Sequence, residues 1–269
     1  MNAPCAAAPR RLVAAGLGLL LVAATACSAS SDAGSDSGSS SSSDSLELTV
    51  LAASSLTEAF GELAKTYQSD HSDVQVELTF NSSSTLAEQV VAGAPADVLA
   101  TADEATMQGV VDEGLTAAAP EVFARNRLTL VTPADNPADV ASIDDIERGD
   151  VTYAVCVPDA PCGAASRTLL DLVGVRAEPV TEEDNVRDVL TKVTTGEVDA
   201  GLVYASDAQA AGSDVTVIDV PESDQALNAD VIAALTDAAE PDAAASWLEL
   251  VLSKEGQQVL GSYGFLPAG

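Results

Sequence analysis

Two hydroxyl-rich stretches stand where a strand-like run gives way to a helix-like one. Val74, Val76, Leu78 and Phe80 alternate and end in Asn81-Ser82-Ser83-Ser84-Thr85, after which Leu86 and Ala87 open a helical pattern. Leu46, Leu48, Val50 and Ala52 do the same and are followed by Ser54-Ser55-Leu56-Thr57-Glu58. The chemistry open to such turns is anion binding by neutral donors. The first N–H groups of a helix have no intrahelical acceptor and lie at the positive end of its dipole, so a serine-rich turn there can surround an oxyanion without a formal charge. A plainer reading makes each serine a helix cap, and Ser55 with Glu58 three residues on has the spacing of a capping box. A third reading, a serine hydrolase using Ser54, Ser55 or Ser83, needs a base within reach, and the chain has no Gly-x-Ser-x-Gly elbow.

The elements that must hold these turns follow from periodicity. At 269 residues, 47% hydrophobic, the chain can bury one large core or two modest ones. Leu56, Ala59, Phe60, Leu63, Ala64 and Tyr67 have helical spacing, Asp97-Val98-Leu99-Ala100 is a third strand, and a second set of units begins near Leu128-Thr129-Leu130-Val131. In that set Val151, Tyr153, Val155 and Val157 predict a strand, residues 163–172 and 184–193 helices, and Leu202-Val203-Tyr204 and Val215, Val217 and Val220 two more strands. The tail, 242–260, offers Trp247, Leu250, Val251 and Val259 to a sheet. This rhythm predicts an α/β fold with right-handed crossovers, parallel sheet and ligands outside the strand carboxyl ends, in two halves with a cleft between them.

Forty-two acidic residues against 11 basic ones give a net charge of −31, which argues against nucleic acid and anionic membrane surfaces as partners. A small anion must then be captured by local dipoles against the field of the whole protein. His71, the one histidine, sits in the polar turn Asp70-His71-Ser72-Asp73, where solvent is its expected neighbour. Neither it nor the scattered carboxylates have metal-ligand or calcium-loop spacing, so no metal and no cofactor are expected.

Residues 1–26 read as an export signal: Arg10-Arg11, an apolar run over 12–24 too short to span a bilayer, then Thr25-Ala26-Cys27. The twin arginine points weakly to the folded-protein export route. Small residues before Cys27 resemble a lipoprotein cleavage site, which makes Cys27 the acylated anchor and places the protein on the outer face of the cytoplasmic membrane; the alternative is an ordinary signal with an incidental cysteine. Residues 27–45 read as a Ser/Asp/Gly tether. Cys156, ending one strand, and Cys162, opening the next helix, face each other across Val157-Pro158-Asp159-Ala160-Pro161 and are expected to form a disulfide in an oxidising compartment; two unpaired small apolar residues are the alternative.

Ala52-Ala53-Ser54-Ser55-Leu56-Thr57, residues 80–86, Gly93-Ala94-Pro95-Ala96-Asp97-Val98, Asp184-Asn185-Val186-Arg187, Gly201-Leu202-Val203-Tyr204 with Ser206-Asp207-Ala208, and Tyr263-Gly264-Phe265 together resemble the periplasmic molybdate-binding proteins, the solute receptors of molybdate ABC importers. The resemblance runs in order from about residue 46 to the end. It implies a two-lobe, flytrap-like periplasmic-binding-protein fold, not an enzyme, with lobe one at 46–125 plus 228–269 and lobe two at 126–227. It implies further that molybdate or tungstate is held by Ser55 and Ser83 through hydroxyl and amide, by the N–H groups of Cys162 and Val186, and by the Tyr204 hydroxyl. Arg125, Arg127, Arg167 and Arg187 are then partners of the acidic surface and not ligands. A monomer is expected, docking on a membrane permease with its ATPase. Another oxyanion or a small organic anion is the alternative cargo. Where the family has Tyr-Pro at the second lobe crossing, this chain has Ala229-Asp230.

Overall fold

The computed structural model describes residues 45–269. The leader, Cys5, Cys27 and the tether up to residue 44 lie outside the described residues. No helix among the described residues is long and apolar enough to cross a membrane.

The first half runs β1 (Leu46–Ala53), α1 (Thr57–Asp70), β2 (Val74–Asn81), α2 (Ser83–Val91), β3 (Val98–Thr101), α3 (Glu104–Asp112) and β4 (Glu121–Asn126). The chain then passes into β5 (Leu128–Pro133), β6 (Tyr153–Cys156), α4 (Pro161–Val173), β7 (Thr181–Glu183), α5 (Val186–Thr194), β8 (Ala200–Tyr204), α6 (Ala205–Ala211) and β9 (Val215–Ile218). It returns through β10 (Asn228–Ala234), α7 (Pro241–Leu252), α8 (Lys254–Ser262) and β11 (Leu266–Pro267). Two sheets result, of six strands in the order β11-β4-β10-β3-β1-β2 and of five in the order β7-β6-β8-β5-β9.

The expected all-parallel pairing is corrected. β1 pairs in parallel with β2 and β3, and β6 with β7 and β8. However, β10 runs antiparallel to β3 and β4, and β5 antiparallel to β8 and β9. A strand joined to its neighbour by a crossover helix must run parallel to it; β5 and β10 enter their sheets directly from the other half and carry no such constraint. The architecture is an α/β fold of two lobes, each with its own mixed sheet.

The six-stranded sheet is covered on both faces. Leu48, Val50, Phe60, Leu63 and Trp247 fill the face under α1 and α7, and Leu51, Leu86, Leu99, Met107 and Val231 the face under α2 and α3. A chain with few aromatics concentrates them here: Trp247, fully buried, meets Phe60 and Tyr67 edge-on, each at 5.6 Å between ring centroids. Each such side chain removed from water contributes about 1.5–3 kcal/mol. The buried Asp97 ties the layers together, accepting from the Thr49 N–H at 2.7 Å and the Glu240 N–H at 2.9 Å. His71 is not simply solvated as expected; its ring stacks on Tyr67 at 4.2 Å, because the helix C-terminus brings residues four apart onto one face.

Candidate functional site

Strand register brings the two serine turns together. Ala52 pairs with Phe80 and Ala53 with Asn81, so β1 and β2 end side by side and release Ser54-Ser55 and Ser82-Ser83 at the same edge. The capping box expected of Ser55 and Glu58 is not formed. Ser54–Leu56 is a 3-10 turn, Leu56 occupies the N-cap of α1, and no side chain caps it. With its own turn closed by a Thr57 hydroxyl donating to the Ser54 carbonyl at 2.7 Å, Ser55 is left buried, and its Oγ has no hydrogen-bond partner among the described residues. Ser82 sits at the N-cap of α2 without a capping bond from its side chain. Ser83 Oγ accepts from the Ala102 N–H at 2.9 Å and keeps its own proton for another acceptor. Neither turn spends its serine on capping.

The second lobe presents backbone. Cys162 is the second residue of α4, behind Pro161 at the first position, and so carries one of the N–H groups that a helix start leaves without an internal acceptor. Cys156 and Cys162 are disulfide-bonded, with Cα atoms 5.6 Å apart, as the sequence predicts. The loop between them folds so tightly that a Cβ on Gly163 would lie 1.9 Å from the Val157 carbonyl oxygen, which only glycine avoids. Val186 opens α5. Asn185 Oδ1 accepts from the Arg187 and Asp188 N–H groups at 2.9 and 3.2 Å, leaving the Val186 amide outside that cap. Tyr204 ends β8, fully buried, its phenol oxygen accepting from Asn228 Nδ2 at 2.5 Å, so its O–H remains a donor.

One cavity gathers all five predicted positions. Ser55, Ser83, Cys162, Val186 and Tyr204 line it with Ser54, Asn81, Ser82, Asn185 and small apolar neighbours. The cavity is small, with a volume of about 10 Å³, on the order of one water-sized sphere and too little for an extended organic ligand. Among the described residues no charged side chain lines it. Asn81 Oδ1 and Asn185 Oδ1 both accept from backbone N–H groups, so the face offered to a ligand is one of donors. No cluster of three or more His, Cys, Asp or Glu among the described residues is placed to hold a metal ion.

Two residues at the junction, Asn126 and Asn228, carry no sequence signal. Asn126 and Asn228 are paired across β4 and β10 where the chain leaves and re-enters the first lobe. Asn126 Nδ2 donates to Ser206 Oγ at 2.8 Å, and Asn228 Nδ2 reaches both Tyr204 and the Ala102 carbonyl. Ala229 and Asp230, where the crossing is expected, already belong to β10; the chain passes between sheets before them, between Ile218 and Asn228. Asp207 and Asp230 are fully buried with no hydrogen bond to either carboxyl among the described residues. Burial pushes Asp207 up to about 7, against the pull of Arg187, and pushes Asp230 well above the usual carboxylate range with the help of Asp207 and Asp103. Burial first, then Asp230, Asp103 and Asp207, hold the Tyr204 phenol well above its ordinary value. Tyr204 is therefore a protonated donor throughout the neutral range.

Comparison with known proteins agrees with this geometry. Residues 48–266 match the family described as bacterial extracellular solute-binding protein. The molybdate-binding protein ModA of Mycobacterium tuberculosis is 39% identical over 218 residues, 81% of this chain and 84% of that one. The protein of the same name from Haemophilus influenzae is 32% identical over 186 residues, 66% of this chain and 73% of that one. The solved periplasmic molybdate-binding protein of Azotobacter vinelandii superposes with a TM-score of 0.74 at 19% identity, covering 81% of this chain and 98% of its own, and so shares the fold. By its matched residues, its relatives and its two-lobe architecture, the chain belongs to the family of bacterial extracellular solute-binding proteins.

Proposed function

We propose that the protein is an extracytoplasmic receptor that holds molybdate, and tungstate as its near-isostere, between lobes comprising residues 46–125 with 228–269 and residues 126–227, and passes it to the permease and ATPase of an ABC importer. The observation that carries this reading is the cavity itself: two serine turns, two helix starts and a protonated phenol converge on a space lined by neutral groups, with Ser55 Oγ buried and unpartnered among the described residues. An oxyanion is the ligand such donors complete. The Mycobacterium tuberculosis and Haemophilus influenzae relatives, both named for molybdate, support the choice of ion.

The neutral lining also bears on selectivity. Phosphate near neutral pH retains a proton that needs an acceptor, and the cavity holds no carboxylate to accept it. Sulfate has no such proton, and discrimination against it rests on size. Hydrolysis is disfavoured because no histidine or carboxylate lies on the cavity to activate a serine. Calorimetry with molybdate, tungstate, sulfate and phosphate tests the proposal. Tight binding of the first two and weak binding of the others is expected; sulfate bound as tightly as molybdate would overturn it. The Cys27 lipid anchor and the monomeric state belong to the same proposal, and a Cys27→Ser variant that stays with the membrane fraction would remove the anchor from it.

A further inference from the structure

Arg187 is the second residue of α5, next to Val186, and its guanidinium reaches across to the other lobe. Nη2 and Nη1 donate to Glu58 Oε1 and Oε2 at 2.8 and 3.2 Å, a bidentate pair. Nη1 also stands 3.8 Å from Asp207 Oδ1. Each of the three residues is joined along its own chain to a different residue that lines the cavity. Glu58 follows Ser55 in the first turn of α1, Arg187 follows Val186, and Asp207 follows Tyr204 at the start of α6. The Arg187 and Glu58 side chains are each 32% exposed, whereas Asp207 is closed off from water. One cation thus lies between a carboxylate of its own lobe and a carboxylate of the facing one.

We propose that Arg187 and Glu58 form a clasp across the cleft that sets how long a bound anion stays, with Asp207 positioning the arginine from its own lobe. This rests on the reading of the cavity as the molybdate site. Parting the lobes breaks the Glu58 pair, while Arg187 and Asp207 travel together on the second lobe, so no buried charge is stranded by opening. The pair exists only when the lobes are together, and its loss therefore acts on release more than on capture. A bidentate, partly shielded pair is stronger than an ordinary surface ion pair, and salt weakens it.

The test uses the mature protein and a Glu58→Gln variant, which keeps the side-chain shape. Stopped-flow release of molybdate should be about three- to tenfold faster in the variant, corresponding to roughly 0.7–1.4 kcal/mol. Association should stay within about twofold of the unsubstituted protein, since capture precedes formation of the pair. Adding Arg187→Gln to Glu58→Gln should accelerate release less than it does in the unsubstituted background, because the pair is already broken. Unchanged release in Glu58→Gln, or fully additive effects of the two substitutions, would overturn the clasp. Spin-label distances between the lobes without ligand keep the two readings apart. A longer, broader distribution in Glu58→Gln supports the clasp even if molybdate fails to bind, an outcome that would overturn only the choice of ligand; an unchanged distribution there would overturn the clasp itself.

Discussion

On the proposed reading of the site, the two walls of the cleft use different chemistry for one task. The first lobe brings side chains: Ser55 and Ser83 on adjacent strand ends, hydroxyls free of capping duty. The second lobe brings mostly backbone, with Cys162 and Val186 at helix starts and Tyr204 as its one side-chain donor. A hydroxyl donor is lost with its side chain, while a backbone donor survives any substitution that keeps the helix start in place. The first wall is therefore open to mutation at its donors, and the second only through what holds its backbone. The walls meet at a seam of buried polar groups, Asn126, Asn228, Asp207 and Asp230, that belongs to neither alone.

The largest expected effect lies in that seam. Asp207 is raised to about 7 and Asp230 well above the carboxylate range, so the folded chain holds protons there that the unfolded chain releases above pH 4. A raised folded-state value means that this contribution is full below the unfolded value and is lost as pH rises through the folded one. Stability should fall by as much as about 1.4 kcal/mol per pH unit for each carboxyl above pH 4, until Asp207 has ionised near 7, and on the order of 4 kcal/mol for Asp207 in all. Urea melts at pH 5 and pH 8 measure it. Asp230→Asn, which mimics the protonated acid, should narrow the difference; equal stability at both pH values in the unsubstituted protein would show the seam to be proton-independent.

Next comes the contrast between the walls. Ser55→Ala and Ser83→Ala should each weaken molybdate binding by about 1.5–3 kcal/mol, the worth of a hydrogen bond to a charged group. Val186→Ala should cost less than about 0.5 kcal/mol in binding, since the N–H remains. Calorimetry on the three variants decides whether the division into side-chain and backbone walls holds: a large loss from Val186→Ala together with none from Ser55→Ala would reverse it.

The smallest effect is expected from reduction of Cys156–Cys162. A ring closed over a sequence separation of 6 restricts the unfolded chain little, so global stability should drop by about 2 kcal/mol at most. The local effect sharpens the comparison, because on the proposed reading the bond would fix the turn that offers the Cys162 amide and so spare the ordering of a loop on binding. Molybdate affinity should fall on reduction in the parent protein and be insensitive to reductant in a Cys156→Ser variant. Affinity unchanged by reduction in the parent would confine the bond to stability.

Much of this was legible in the residues because the signals were local. Alternation in 74–80 and helical spacing after Leu56 gave β2 and α1, and the serine turns lay where a strand meets a helix. Cys156 and Cys162 were separated by a loop short enough to bring them together. In contrast, β10 carries weak periodicity, since a strand buried on both faces, like Asn228–Ala234, has no reason to alternate. Val186 has no side-chain signature for an amide donor, and only its likeness to family members pointed to it.

The sequence by itself determined the strand-to-helix turns, the hydroxyls at their edge and the disulfide loop, because each depends on neighbours a few residues apart. Only the tertiary structure decided that Ser55 is left uncapped, that Glu58 turns away from its own helix start to meet Arg187, and that Asp207 and Asp230 are shut from water. Those outcomes join residues up to 129 positions apart, and they follow from which sheet edges and helix starts the fold sets opposite one another, a matter of global packing that no local pattern encodes.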